Sequence, residues 1–427
     1  MGLGATRAAR ALKTAALMMM ALACTIITVV QARLSFESVS ALGDYYQPKA
    51  PARRDPFATI AWGSFVLANA NGSTFSSSDG GHTWQRQTWG SPRLAQHVPV
   101  SAETVMSYDS GAAAYVTNAT TSLSIHEYVV WTVDKASRTF QRTVHSAPDA
   151  RVISFTGLPF KSYEFALSAG GTAVLADGTF VASTTLWGAH NEQSSELPRL
   201  GEMPGPCCNN SVGIFTSRDG FNWKFASVVA HKADVAGSQE GPNESTLAIL
   251  KDGRLIVIFR VDGGDGKPDQ THKPYMMAIS QDQGHSWSKP VSLPAGVMSA
   301  KPMAVVLADG TLLLSGGRPA LNVWESPDGL GQTWISHDIP TEHNQLVGEA
   351  SSLRFCDAFA NATLSLGWAE SSGYTTLVST SSDASTATGL VCYERQGGHS
   401  GGYHKKNPPQ CNPSFSSIFC MSMRVCT

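Results

Sequence analysis

Ser280-Gln281-Asp282-Gln283-Gly284-His285-Ser286-Trp287 decides the fold, because Ser77-Ser78-Asp79-Gly80-Gly81-His82-Thr83-Trp84 repeats its pattern far upstream. Both read Ser-x-Asp-x-Gly-x-(Ser/Thr)-Trp. Ser217-Arg218-Asp219-Gly220-Phe221-Asn222-Trp223 is a copy one residue shorter, and Ser326-Pro327-Asp328-Gly329-Leu330-Gly331-Gln332-Thr333-Trp334 is one residue longer. Thr132-Val133-Asp134 followed by Thr139-Phe140 reads as a worn fifth. The residue types suit a hairpin loop. An Asp side chain accepts hydrogen bonds from the N–H groups of its own turn, Gly supplies positive φ, and Trp pins the turn to a sheet. Asp79, Asp219, Asp282 and Asp328 are therefore read as structural residues without a catalytic role.

Around these turns the hydrophobic period is two. The best unit predicts strands over Ser245–Leu250, Leu255–Val261, Tyr275–Ser280 and Trp287–Leu293, with Lys251-Asp252-Gly253-Arg254 as a tight turn. That is a four-stranded antiparallel blade. The same Asp-Gly hairpin stands at Asp177-Gly178 and Asp309-Gly310. Repeated units of this kind predict an all-β chain, a six-bladed β-propeller of four-stranded antiparallel blades at roughly 55 residues each. Long amphipathic helices, which a parallel α/β fold needs, are missing from the pattern. The predicted organisation is a segment at 1–32 that leads into the fold, a linker at 33–54, the propeller at 55–395 and a Cys-containing tail at 396–427.

Composition agrees with many short elements. Charged residues are only 15% of the 427, while Gly numbers 39 and Pro 22. Lys and Arg (31) nearly balance Asp and Glu (33) for a net charge of −2, with no like-charge run, which sets nucleic-acid binding aside. Arg7, Arg10 and Lys13 precede an uncharged, mostly apolar stretch, Thr14–Ala32. This pattern predicts export, as a cleaved signal peptide or as a membrane anchor through 14–32. Five Asn-x-Ser/Thr sequons, at Asn71, Asn118, Asn209, Asn243 and Asn361, point the same way, toward a secreted or membrane-anchored glycoprotein. Of the eight Cys, Cys24 lies in the apolar stretch; the other seven lack zinc-site spacing and predict disulfides, with Cys411, Cys420 and Cys426 stapling a loop-rich tail. No metal or organic cofactor is implied.

The Ser-x-Asp repeats resemble the Asp boxes, or BNR repeats, of the sialidase (neuraminidase) superfamily from about residue 55 to 395. Three further stretches resemble active-site segments of that family. Gly241-Pro242-Asn243-Glu244-Ser245-Thr246-Leu247 with Phe259-Arg260 is similar to the strand pair that carries the family's catalytic Glu and one arginine of its triad. Leu314-Ser315-Gly316-Gly317-Arg318-Pro319 sits where another triad arginine is expected. Ser372-Gly373-Tyr374-Thr375-Thr376-Leu377-Val378, with Leu390-Val391-Cys392-Tyr393-Glu394-Arg395 closing the next strand, resembles the nucleophile segment. The resemblance implies Tyr374 as nucleophile, Glu244 as its base, Arg260 and Arg318 as substrate-binding residues, and a sialylated or related acidic glycan as substrate.

The chemistry explains the combination. Sialic acid bears a carboxylate on its anomeric carbon, which arginines hold by paired, charge-assisted hydrogen bonds. A carboxylate nucleophile would be repelled by that charge, whereas a tyrosine deprotonated by a neighbouring Glu is not. The sequence departs from the family in lacking a Phe-Arg-Ile-Pro-like first arginine motif and the acid Asp after it. His190 and Glu192 stand in as candidate acids, and Arg53-Arg54-Asp55-Pro56 is a second source of the missing pair. Two other readings stay open: a glycan-binding propeller without activity, and a glycosidase acting on an uncharged sugar with paired carboxylates.

Overall fold

The computed structural model of the protein describes residues 34–46, 58–70, 73–88, 97–101, 104–108, 120–134, 139–157, 171–188, 209–235, 238, 241–261, 273–294, 300–317, 321–349, 353–355, 373–395 and 416–426. They form six four-stranded antiparallel blades. Blade 1 comprises β2 (Ala58–Trp62), β3 (Phe65–Ala70), β4 (Ser73–Ser77) and β5 (Gln85–Arg86). Blade 2 comprises β6 (His97–Ser101), β7 (Thr104–Tyr108), β8 (Thr120–Asp134) and β9 (Thr139–Thr156). Blade 3 follows with β10 (Thr172–Val174), β11 (Phe180–Gly188), β12 (Asn209–Ser217) and β13 (Asn222–His231). Blades 2 and 3 join at their outer edges, where Asn222–Lys224 pairs in parallel with Ser154–Thr156.

Blade 4 is β14 (Ser245–Ile249), β15 (Leu255–Phe259), β16 (Met276–Ser280) and β17 (Val291–Ser292), close to the expected strands except that the fourth is shorter. Blade 5 is β18 (Met303–Val306), β19 (Leu312–Gly317), β20 (Leu321–Ser326) and β21 (Ile335–Asp338), followed by α1 (Ile339–Val347), the single α-helix among the described residues. Blade 6 takes β22 (Thr375–Ser379), β23 (Thr388–Arg395) and β24 (Ser416–Val425) from the end of the chain and β1 (Leu34–Tyr46) from its other end.

That last blade corrects two expected boundaries. The stretch read as a linker, 33–54, and the one read as a tail, 396–427, each supply a strand, and β1 pairs with β24 from Leu34↔Val425 to Tyr46↔Ser416. Neither strand is announced by an Asp-Gly hairpin: the partner of β1 lies at the other end of the chain, and β24 is separated from its other partner, β23, by residues 396–415. The cysteine reading changes with it. Cys420 bonds Cys392, directly opposite on β23, while Cys426 is a free, exposed thiol. Cys207, Cys208, Cys356 and Cys411 lie outside the described residues, as do residues 1–32.

Each blade is buried on both faces, which is why strands such as Leu255-Ile256-Val257-Ile258-Phe259 read as unbroken apolar runs. Leu255, Val257 and Phe259 pack toward blade 3, and Ile256 and Ile258 toward blade 5. Six such clusters fill the six interfaces between neighbouring blades. Near the inner strands, short polar side chains tie one blade to the next. Ser245 Oγ donates to Ser183 Oγ (3.1 Å), Ala304 N–H to Thr246 Oγ1 (3.0 Å), and the Ser315 and Thr375 hydroxyls share a bond of 2.7 Å. Thr376 meets Thr59 in the same way.

The Asp turns connect the third and fourth strands of blades 1, 3, 4 and 5. In blade 4, Ser280 Oγ donates to Asp282 Oδ1 (2.8 Å), as does Ser286 N–H (2.8 Å), and the Ser286 hydroxyl reaches Oδ2. These donors, with Ser286 the largest contributor, hold the Asp282 carboxyl down at about 2. The two full-length copies share a further contact. Trp287 Nε1 donates to Ser227 Oγ of blade 3 (3.0 Å), and Trp84 Nε1 to Ser40 Oγ of blade 6 (2.9 Å). In the shorter and longer copies the indole closes instead on its own turn, Trp223 on Gly220 O (2.8 Å) and Trp334 on Gly331 O (3.1 Å). The worn copy in blade 2 occupies the same place, between Asp134 and Thr139.

Two stability changes follow from these features. Removing the disulfide with Cys392→Ala and Cys420→Ala frees a 28-residue separation in the unfolded chain and should cost about 3 kcal/mol, read from urea unfolding. Gln283, at the position held by Gly80 in the blade 1 turn, has φ of 60° against 74° there. Gln283→Gly should stabilise by about 1 kcal/mol in the same assay, since a side chain is disfavoured in the left-handed region.

Candidate active site

Antiparallel pairing in blade 4 continues one step past β14 and β15, so Arg260 N–H donates to Glu244 O (2.9 Å) and Asn243 N–H to Arg260 O (2.9 Å). Glu244 and Arg260 therefore face each other, and their side chains meet, with Arg260 Nη1 donating to Glu244 Oε2 at 2.7 Å. Arg260 is almost fully buried at 7% side-chain exposure, whereas Glu244 keeps 31%. The other carboxylate oxygen is also engaged. Tyr374, half-buried and immediately before β22, donates its hydroxyl to Glu244 Oε1 at 3.2 Å. Three residues expected to work together from sequence thus share one carboxylate, although 130 positions separate Glu244 from Tyr374.

The Tyr374–Glu244 bond runs from blade 6 to blade 4, with blade 5 between them. Two residues before the inner strand of that blade stands Lys301, buried at 8% exposure. Burial lowers its ammonium to about 8, against the opposing pull of the Glu244 carboxylate. Sequence reasoning passed over this residue. The available signal was its place: Glu244, Lys301 and Tyr374 each lie just ahead of the innermost strand in three successive blades.

Arg395, at the end of β23, is held from the other side. Its Nη1 donates to Leu353 O (3.0 Å), and its guanidinium lies 6.0 Å over the Phe355 ring. The same carbonyl accepts from His343 Nε2 (3.0 Å), because a carbonyl has no proton to give; His343 Nδ1 consequently accepts from the Tyr393 hydroxyl (2.7 Å). Burial drives His343 down to about 4 and the Tyr393 phenol well above its usual range. His343 is thus a neutral structural group that fixes α1 against blade 6.

Arg318, His190, Glu192 and the Arg53-Arg54-Asp55 segment lie outside the described residues. Asn243 is buried at 7% exposure and donates into the Arg260 strand through its backbone, so this sequon is closed to a glycan in the folded protein. Among the described residues no group of three or more His, Cys, Asp or Glu is placed to hold a metal ion.

No protein-family profile matches the chain, and no curated protein matches it. Solved structures similar to it include a protein of unknown function from Dyadobacter fermentans, at 13% identity and TM-score 0.48 over 92% of this chain and 99% of that one. A Hadza microbial sialidase is 14% identical at TM-score 0.45, over 86% of this chain and 65% of that one. An α-L-arabinofuranosidase of Fusarium graminearum, solved with an iminosugar inhibitor, is 14% identical at TM-score 0.47 over 90% and 97%. Likeness of this degree assigns neither a family nor a substrate.

The neutral His343 carries a pH signature. Its folded value of about 4 lies below the usual 6.5, so the unfolded chain binds the proton more readily. Stability from this group is complete above pH 6.5 and is lost as the pH falls toward 4, by about 3 kcal/mol. Asp338, raised to about 6 by burial, acts in the opposite direction. The difference between parent and His343→Gln in urea midpoints from pH 7 to pH 4 should therefore isolate the His343 contribution.

Proposed function

We propose that this propeller is a retaining glycoside hydrolase of the sialidase type, removing terminal sialic acid or a related ulosonic acid from glycoconjugates. The observation that carries the reading is Glu244 bonded through one oxygen to the Tyr374 hydroxyl and through the other to Arg260. A phenol is a weak nucleophile until a base takes its proton, and Glu244 Oε1 already accepts that hydrogen bond. Arg260, locked on Oε2, orients the carboxylate and places a cation beside the reacting centre.

In this reading Glu244 takes the Tyr374 proton as Oη attacks the anomeric carbon, and the bond to the leaving oxygen breaks. An acid, His190 or Glu192 in the expectation from sequence, protonates that oxygen. Water then attacks the same carbon, gives up a proton to that residue's conjugate base, and releases the tyrosine, which recovers its proton from Glu244. Two displacements at one carbon give net retention. Arg260 and Arg318 hold the sugar carboxylate. Export is part of the same proposal: the apolar 14–32 stretch, as signal or anchor, and the buried Cys392–Cys420 bond both favour a lumenal or extracellular setting, where terminal sialic acids of glycoproteins and glycolipids are met.

Release of a fluorogenic leaving group from an α-sialoside tests the proposal. The parent should turn over, and Tyr374→Phe should lose at least about a thousandfold in kcat with an unchanged melting temperature. Arg260→Met should raise KM as well. Binding of free sialic acid without turnover would replace the enzyme with a glycan-binding propeller. Turnover of only uncharged glycosides would replace the substrate class.

A further inference from the structure

Three of the four polar atoms of Glu244 are held within the site: its backbone oxygen and Oε2 by Arg260, and Oε1 by Tyr374. The fourth, its N–H, departs from the ladder. In regular antiparallel pairing two opposed residues exchange both backbone bonds, so Arg260 O would take the N–H of Glu244. Instead that oxygen takes the N–H of Asn243 at 2.9 Å, while Arg260 N–H still goes to Glu244 O. Two residues of one strand thus face one of the other, which is the hydrogen-bond pattern of a β-bulge. The displaced Glu244 N–H donates to Asn243 Oδ1. An amide side chain accepts only through its oxygen, so the orientation of Asn243 follows.

A bulge re-aims the side chain beside it and leaves a backbone donor over. That donor needs an acceptor from the protein, because Asn243 is 7% exposed and Ser245 only 2%. The turn ahead of the bulge is pressed against blade 3. Gly241 has φ of 89°, and a Cβ there would stand 2.8 Å from Asn210 O of β12 and 3.1 Å from Lys232 Cβ. Its N–H is fixed on Ser238 Oγ (2.7 Å). The chain therefore enters the bulge from a set direction, and the freedom left to it is rotation of the peptide between Asn243 and Glu244. The Asn243 side chain removes that freedom.

We propose that Asn243 is a positioning residue for the reaction: by holding the Glu244 N–H it fixes the plane from which that side chain leaves the strand, and so keeps Oε1 on the Tyr374 hydroxyl. This rests on the glycosidase reading above and adds to it the residue that aims the base. A side chain without an acceptor at this position lets the peptide turn toward Arg260 O, which restores regular pairing and swings the carboxylate off the phenol.

The test uses protein made in the bacterial periplasm, which oxidises thiols and adds no N-glycan, so the sequon at Asn243 plays no part. On a fluorogenic α-sialoside, Asn243→Ala should lose about tenfold in kcat, the value of one hydrogen bond, with little change in KM. Asn243→Asp keeps the acceptor in place and should recover most of that loss at alkaline pH. Its second carboxylate disfavours a charged base next to it, so the acid limb of kcat/KM should move to higher pH than in the parent. Packing alone would lower the melting temperature in both variants and leave kcat, measured well below that temperature, untouched. Parental kcat in Asn243→Ala overturns the role, as does an Asn243→Asp variant without recovery; in either case loss of turnover in Tyr374→Phe leaves the glycosidase reading standing. Should Asn243→Ala fold too poorly to assay, Asn243→Asp decides alone: a raised acid limb supports the role and an unmoved one overturns it. A parent that turns over no glycoside overturns the reading and this role with it.

Discussion

A circular array of blades holds only when its last blade is complete, and here the circle is closed by pairing the two ends of the chain. Leu34–Tyr46 lies along Ser416–Val425, which lies in turn along Thr388–Arg395, with the Cys392–Cys420 bond crossing the second of those pairings. Six interface clusters then act as one core, since each blade is buried only by the presence of its two neighbours. The hydroxyl contacts near the inner strands, from Ser183–Ser245 to Thr376–Thr59, set the spacing at which those inner strands meet.

That spacing is what makes the site. Glu244 and Tyr374 come from blades 4 and 6 and meet only because the closed ring brings the beginnings of inner strands together. Glu244 is oriented by the hairpin partner Arg260, and Tyr374 by the carboxylate of Glu244 itself. On the other flank His343 and Arg395 converge on one carbonyl, Leu353 O, which fastens the helix after blade 5 to the end of the second strand of blade 6. The site therefore inherits its geometry from the whole propeller.

The division of labour in the Asp turns shows how far a local pattern reaches. Ser, Asp and the following donor close on one another wherever the motif occurs, because all their partners lie within the same few residues. The indole depends on loop length. At eight residues, in blades 1 and 4, it reaches the neighbouring blade; one residue shorter or longer, it returns to its own turn.

By itself the sequence determined what rests on short-range order: the Asp turns, the Asp-Gly hairpins, the double-faced apolar strands, and hence six blades of four strands. It also brought Glu244, Arg260 and Tyr374 forward as a set, through the resemblance of the segments that carry them to known active-site segments. Only the tertiary structure decided that residues 34–46 and 416–425 are strands of one blade, that Cys420 pairs with Cys392, and that Glu244 of blade 4 meets Tyr374 of blade 6. The physical reason is separation along the chain. A turn carries its own hydrogen-bond partners in adjacent positions, whereas a closing strand finds its partner at the other end of the chain, the disulfide on the next strand of its blade, and the Tyr374 hydroxyl across the blade between.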